Sequence, residues 1–197
     1  MKEKRTNPSV FHLVLSAMFL AAGIVLPFFT GQVPQIGSML LPMHLPVLLC
    51  GLICGWQYGF AVGFLLPPLR YLMFAMPPIF PTGTAMAFEL AAYGAIAGFL
   101  YSHSRWHCMF SLYRSLFAAM IGGRIVWGIV QLLLTGVSGE PFTLQIFLAG
   151  AFLNAIPGIL LQLVFIPAMM LALDRTGLVH FSKKRPSDIS ADHSMGN

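Results

Sequence analysis

The sequence predicts an all-α integral membrane protein, a bundle of six transmembrane helices with both termini in the cytoplasm. Three observations lead to this prediction. Of the 197 residues, 57% are hydrophobic and only 9% are charged, whereas about one quarter of the residues in ordinary soluble domains are charged. The apolar residues form six runs that are separated by short polar or proline-rich breaks. The basic residues lie almost entirely in alternate breaks.

The six runs define the helices in chain order. A polar lead with three basic residues precedes the first run, which is long enough to span a bilayer. The second run is short and meets the third at a tight Gly-Trp-Gln-Tyr turn, and three prolines separate the third run from the fourth. The sixth run is longer than a span needs, so tilt or a break at Pro157 is expected. The predicted helices are 10–29, 45–55, 58–76, 82–101, 109–135 and 142–173.

One domain is expected at this chain length. The breaks between the predicted helices are too short to hold a second folded unit, so residues 1–174 are expected to form a single transmembrane domain. Residues 175–197 are polar and are predicted to form a cytoplasmic tail.

The distribution of basic residues predicts the topology in the cell membrane. Of the 11 Lys and Arg residues, nine are assigned to the N-terminal lead, to the loop between the fourth and fifth helices, which is taken to include Arg114, and to the tail. The other two, Arg70 and Arg124, lie inside predicted helices, and none lies in the opposite breaks. The positive-inside rule therefore places both termini in the cytoplasm. The net charge of +5 thus indicates topology and not nucleic-acid binding.

Ionisable side chains inside the predicted helices indicate a binding site, because each costs about 2.5–3.5 kcal/mol to insert. With a rise of about 1.5 Å per residue, Arg70 and Glu89 lie about 10 Å from the outer helix ends, and Arg124 and Asn154 about 16 Å deep. We therefore predict an outward-facing pocket beneath the first loop. Its predicted binding residues are Arg70, Glu89, Arg124, Trp127 and Asn154, with His44 and Tyr93 beside them.

The charges in this set favour an anionic ligand. One acid and two arginines leave a positive excess, and arginine binds carboxylates through two parallel hydrogen bonds. The alternative is that Glu89 pairs with Arg70 or Arg124 only to join helices. Arg70 is also shallow enough to extend to the outer interface, and His44 is equally compatible with a loop position at that interface.

No enzymatic chemistry is expected from the sequence. It contains no G-x-x-x-x-G-K-[ST] phosphate loop, no HExxH and no GxSxG, and no pair of nucleophile and base stands out within the helices. We therefore predict no catalytic residue, no cofactor and no metal. His103, His107 and Cys108 have a spacing that suits a metal on a helix, but the two histidines are interpreted as polar groups at the membrane interface and Cys108 as a small hydrophobic residue.

Small residues recur four positions apart, a spacing that lets helix backbones approach closely. The glycine pairs are Gly51 with Gly55, Gly59 with Gly63, and Gly94 with Gly98. We predict that these pairs pack inside the bundle. The first helix carries a similar pair, Ala17 and Ala21.

Four segments carry a family resemblance, LPMHLPVLLCGLICG, MAFELAAYGAIAGFLY, GGRIVWGI and AGAFLNAIPGI. Together with the chain length, the six helices and the long uncharged first loop, they make residues 10–173 resemble the substrate-binding S component of an energy-coupling factor (ECF) transporter. The resemblance implies capture of a vitamin or related micronutrient from outside. It also implies transport only when the S component is docked on a membrane coupling subunit that carries two ATPase subunits.

The resemblance further implies roles for two parts of the chain. The first loop, from Gln32 to His44, would close over the ligand, and the whole S component would topple in the membrane to release it. Ala17 and Ala21 match the position of the family's docking motif for the coupling subunit, although internal packing is the alternative. The substrate stays open, with an anionic or zwitterionic vitamin, such as pantothenate or a folate-like compound, favoured over a cationic one.

Two other functions are compatible with the sequence. The first is a stand-alone small-molecule carrier, which is disfavoured because no inverted repeat of broken helices is visible. The second is a structural membrane protein whose buried charges form only helix-joining pairs.

Overall fold

The computed structural model describes residues 8–29, 42–104, 109–138 and 156–175. These residues form six α-helices and one π-helical turn, and no β-strand occurs among them. The all-α prediction is therefore confirmed. The elements are α1 (Pro8–Phe29), α2 (His44–Cys54), α3 (Trp56–Phe74), the π-helical turn (Ile79–Gly83), α4 (Thr84–Ser102), α5 (Met109–Ser138) and α6 (Ile156–Arg175).

Most helix ends lie within a few residues of their predicted positions. Prolines precede α4, and Phe80 among them has an extended backbone conformation (φ −123°, ψ 134°), so the regular helix α4 begins at Thr84. Arg114 was predicted to lie in the loop between the fourth and fifth helices. It lies instead within α5, where it is exposed. The first loop (30–41), the start of the sixth predicted helix (142–155) and the tail (176–197) lie outside the described residues.

Four segments in the described part of the chain are long and apolar enough to cross a membrane. They are Ser9–Phe28, Ile79–Ser102, Met109–Gly136 and Ile156–Asp174. Helix α2 has only 11 residues and rises about 16 Å, half the thickness of a bilayer core. Helix α3 has 19 residues, but two prolines and Arg70 lower its hydropathy. The protein is thus a helical membrane protein, whereas six complete spans and cytoplasmic termini stay predictions.

Helices α2 and α3 are joined through a single residue, Gly55. Its φ of 101° lies in the region that residues with a Cβ rarely adopt. The Gly55 amide donates a hydrogen bond to the Gly51 carbonyl at 3.1 Å, which ends α2, and α3 begins at the next residue. Gly55 therefore makes the turn and does not pack against another helix, unlike its predicted role.

Helix α4 is the centre of the bundle and contacts α2, α3 and α5. The other predicted glycines allow this packing. A Cβ on Gly59 would lie 2.6 Å from the Gly51 Cα, and one on Gly98 would lie 2.6 Å from the Gly51 carbonyl oxygen. Gly94 likewise abuts the Gly59 backbone, and Gly63 abuts the Leu90 backbone. Their predicted packing inside the bundle is confirmed.

The remaining helices surround this centre. Helix α1 packs against α2 and α3, and α6 packs against α5 and α2. The larger core cluster unites apolar residues of α2, α4, α5 and α6, among them Leu48, Tyr93, Leu116 and Ile166. Almost all of α2 is buried, because neighbours cover it on every side. This burial explains why its sequence is apolar throughout.

We predict that Gly59→Ala destabilises the protein, whereas Gly136→Ala does not. The new Cβ at Gly59 meets backbone atoms, which cannot move aside as a side chain can, so the overpacking should cost about 1–3 kcal/mol. Nothing lies within 4 Å of a Cβ at Gly136, and both changes raise helix propensity equally. Thermal unfolding in detergent measures the difference, and equal midpoints would contradict the close packing.

Candidate functional site

A cluster of four buried polar or aromatic side chains lies between α2, α4 and α5. Glu89 and Tyr93 are four residues apart on α4 and therefore share one helix face. His44 is the first residue of α2, and Arg124 lies in the middle of α5. All four side chains are buried. The structure thus brings together four of the seven residues that the sequence predicts for binding.

Glu89 is the charged centre of this cluster. Its Oε1 lies 3.0 Å from Arg124 Nη1, and the exposed side-chain fractions are 2% for Glu89 and 6% for Arg124. His44 Nε2 lies 3.6 Å from the same oxygen, which is too long for a hydrogen bond. A buried carboxylate beside a guanidinium avoids the cost of an isolated buried charge. The pair therefore joins α4 to α5, as the helix-joining alternative expects.

Tyr93 packs against both neighbouring helices. Its ring and that of His44 meet edge to face, with centroids 4.8 Å apart and planes at 86°. A Cβ on Gly123 would collide with the Tyr93 ring, so α5 can approach α4 here because residue 123 has no side chain. The aromatic wall is consequently fixed in position beside Glu89 and Arg124.

Several polar atoms of the cluster have no hydrogen-bond partner among the described residues. They include Arg124 Nε and Nη2 and both ring nitrogens of His44. The Nε and Nη2 groups form one edge of the guanidinium, the geometry that matches a carboxylate. Since buried polar atoms are nearly always paired in native proteins, this edge is a candidate point of ligand contact.

Arg70 is buried but lies apart from the cluster. It forms no ion pair with any residue that the structure describes, and its Nη1 is buried without a hydrogen-bond partner there. Gly63 abuts Leu90, the residue after Glu89 on α4, and so marks the level of the cluster on α3. Arg70 lies two turns beyond Gly63, about 10 Å further along α3. The side chain is only 6% exposed, so in the described part of the protein it does not extend to the surface.

The other predicted site residues have different positions. Trp127 lies one turn after Arg124 on α5 and is partly buried, whereas Asn154 lies outside the described residues. Ala17 and Ala21 are exposed on α1. Their exposure does not fit internal packing within the described part of the bundle, and it leaves the predicted docking role open.

Gln162 is not among the residues that the sequence predicts for the site. This side chain is fully buried on α6, and neither its Nε2 nor its Oε1 has a hydrogen-bond partner among the described residues. It belongs to a row of residues four positions apart on one face of α6, and all of them are buried: Gly158, Gln162, Ile166 and Met170.

Two other kinds of site receive no support from the described residues. No group of three His, Cys, Asp or Glu side chains there has an arrangement that suits a metal ion. A groove of about 400 Å³ on α3 and α4 is lined by Trp56, Ala95, Ile96, Phe99 and Leu100. Its lining is apolar, so it offers no group for an anion.

Charged and aromatic side chains that converge inside a helical membrane bundle are typical of membrane-embedded binding and transport proteins. A family model described as "ECF transporter, substrate-specific component" matches residues 11–173. The chain belongs to this family, and the resemblance found in the sequence is confirmed. Searches of curated proteins and of solved structures found no match.

Family membership defines the general role of the protein. It is the substrate-specific subunit of an ECF transporter and not a catalytic enzyme. Such a subunit binds a small-molecule substrate and acts together with the subunits of an ECF module.

We predict that the Glu89–Arg124 pair behaves as a coupled unit in stability measurements. Arg124→Met leaves the Glu89 carboxylate buried without its partner and should cost about 3–5 kcal/mol. The double variant Glu89→Leu/Arg124→Met removes both charges and should recover most of this loss. Unfolding of the single and double variants in detergent gives the coupling free energy. Additive losses would show that the two side chains do not interact.

Proposed function

We propose that this protein captures an anionic or zwitterionic water-soluble vitamin, or a related micronutrient, from outside the cell and that Arg124 binds its anionic group. The observation that carries this proposal is the state of the Arg124 guanidinium. One side is held by Glu89 at 3.0 Å, while Nε and Nη2 are buried without described partners. The ion pair therefore orients the Nε and Nη2 edge, which has no partner in the described part of the chain, toward a carboxylate.

The charge balance supports an anionic substrate. Glu89 neutralises one arginine, and Arg70 is left buried without an ion pair among the described residues. A net positive site within a low-dielectric bundle attracts anions more strongly than the same charge in water.

We place Trp127 and Asn154 in the same pocket, with His44 and Tyr93 forming its aromatic wall. If both termini lie in the cytoplasm, as predicted, this pocket faces the outside of the cell.

Purified protein should bind at least one anionic water-soluble vitamin, and the double variant Glu89→Leu/Arg124→Met should bind it about 100-fold more weakly, because two charge-assisted hydrogen bonds are lost. Native mass spectrometry first identifies any co-purifying compound, and isothermal titration calorimetry then measures affinities for biotin, folate, pantothenate and nicotinate. Arg114→Met is the matched control, since it removes an exposed arginine from the same helix.

The same experiment tests the structural alternative, which the 3.0 Å Glu89–Arg124 pair favours. If the pair only joins helices, the folded double variant binds as tightly as the unmodified protein. Absence of binding to every compound would also contradict the proposed capture function.

We further propose that α1 docks on the membrane coupling subunit through Ala17 and Ala21, and that two ATPase subunits of the ECF module drive import. Both alanines are exposed, as are Val14, Met18 and Val25 on the same helix. Because small side chains let a second helix approach closely, this surface suits a helix of the coupling subunit.

Replacing Ala17 and Ala21 by leucine should therefore abolish co-purification with the coupling subunit and leave vitamin binding unchanged. The protein is co-expressed with the ECF module of its own organism, and the recovered complex is quantified. Ala61→Leu, at an exposed position of α3, controls for added bulk on the lipid-facing surface. Normal complex formation by the double leucine variant would exclude this docking surface.

A further inference from the structure

We propose that Gln162 is a specificity-determining residue of the binding site and that it pairs with a planar donor–acceptor edge of the substrate. This inference rests on the proposed function, since it assigns a chemical class to the molecule captured. The substrate then carries two features, an anionic group for Arg124 and a ring edge on which an N–H stands beside a C=O or a ring nitrogen.

The state of the Gln162 amide is the first argument. Its residue is 0% exposed, and both Nε2 and Oε1 are buried without a hydrogen-bond partner among the described residues. A buried amide whose donor and acceptor are both unpaired costs several kcal/mol in an apolar environment. A side chain of this kind inside a binding protein is explained when the ligand supplies the missing partner.

The position of Gln162 is the second argument. It lies on the buried face of α6, one turn from Ile166, or about 6 Å. Ile166 shares its core cluster with Tyr93 and Leu48, and α6 contacts α2 and α5, the helices that carry His44 and Arg124. Gln162 lies one turn before Ile166 in α6, on the side of Ile166 that the predicted topology turns toward the outer surface.

The chemistry of the amide selects the partner. A carboxamide presents an N–H donor and a carbonyl acceptor side by side, so its complement is a group with the reverse arrangement on one edge. Lactam, cyclic urea and pyrimidinone edges have this arrangement. An open-chain secondary amide does not, because its trans geometry places N–H and C=O on opposite sides. Discrimination by such a site is strong, since a ligand without the edge leaves the buried amide unpaired.

The test compares four defined compounds on the unmodified protein by isothermal titration calorimetry. Biotin and folate carry both a carboxylate and the ring edge, whereas nicotinate and pantothenate carry a carboxylate without that edge. At least one of the first two should bind at least about tenfold more tightly than both of the second two. If nicotinate or pantothenate binds as tightly as both biotin and folate, or more tightly, the assignment of Gln162 is overturned. The proposed capture of an anion is not contradicted by that result. No binding of any of the four contradicts both.

A variant provides the second measurement. Gln162→Leu should weaken binding of the preferred compound at least about tenfold, and the unfolding midpoint of the ligand-free protein should be unchanged or higher, because an unpaired amide has been removed from the interior. Gln57→Leu, the same change at an exposed position of α3, is the matched control. A lower ligand-free midpoint with unchanged affinity would assign the Gln162 amide to the structure and overturn the proposal.

Discussion

The burial of Glu89 opposite Arg124 is the constraint on which the interior of this protein depends. Each charge alone would cost several kcal/mol to remove from water, so each side chain offsets the cost of burying the other. The 3.0 Å contact therefore fixes the relative rotation of α4 and α5. It also orients the guanidinium, which in the proposed function would lower the entropic cost of binding a ligand at the Nε and Nη2 edge. The same interaction that joins the two helices would then prepare the proposed binding group.

The two faces of α4 explain how this pair is held in place. One face carries Leu90, Gly94 and Gly98, against which the backbones of α2 and α3 pack closely. The other carries Glu89 and Tyr93, which meet α5 at Arg124 and Gly123. Close packing of α2 on the first face brings its first residue, His44, near the second face of α4. There His44 contacts both Glu89 and Tyr93. Small residues on one side of the helix thus position polar residues on the other.

Much of this arrangement was predictable from the sequence, and the exceptions have physical causes. Long apolar runs predict helices because a membrane requires internally satisfied backbones, and the glycine spacing predicted the close contacts. The sequence does not decide whether Arg70 or Arg124 pairs with Glu89. The direction in which each side chain points depends on how its helix is rotated against its neighbours, and that rotation depends on packing between helices. Gln162 was not included in the predicted site for a related reason. Its sequence position indicates a buried face, but only the structure shows that its amide lacks a partner among the described residues.

In the proposed site the two buried arginines have different roles. Glu89 neutralises Arg124, so the cluster around Glu89 has little net charge, and Arg124 would act through the direction of the guanidinium edge formed by Nε and Nη2. Arg70 has no ion pair among the described residues, so it supplies the positive excess, about 10 Å further along the bundle. Attraction over such a distance is effective where the surrounding dielectric is low. In the proposed site Arg70 therefore sets the preference for anions, and Arg124 sets the orientation in which an anion is held.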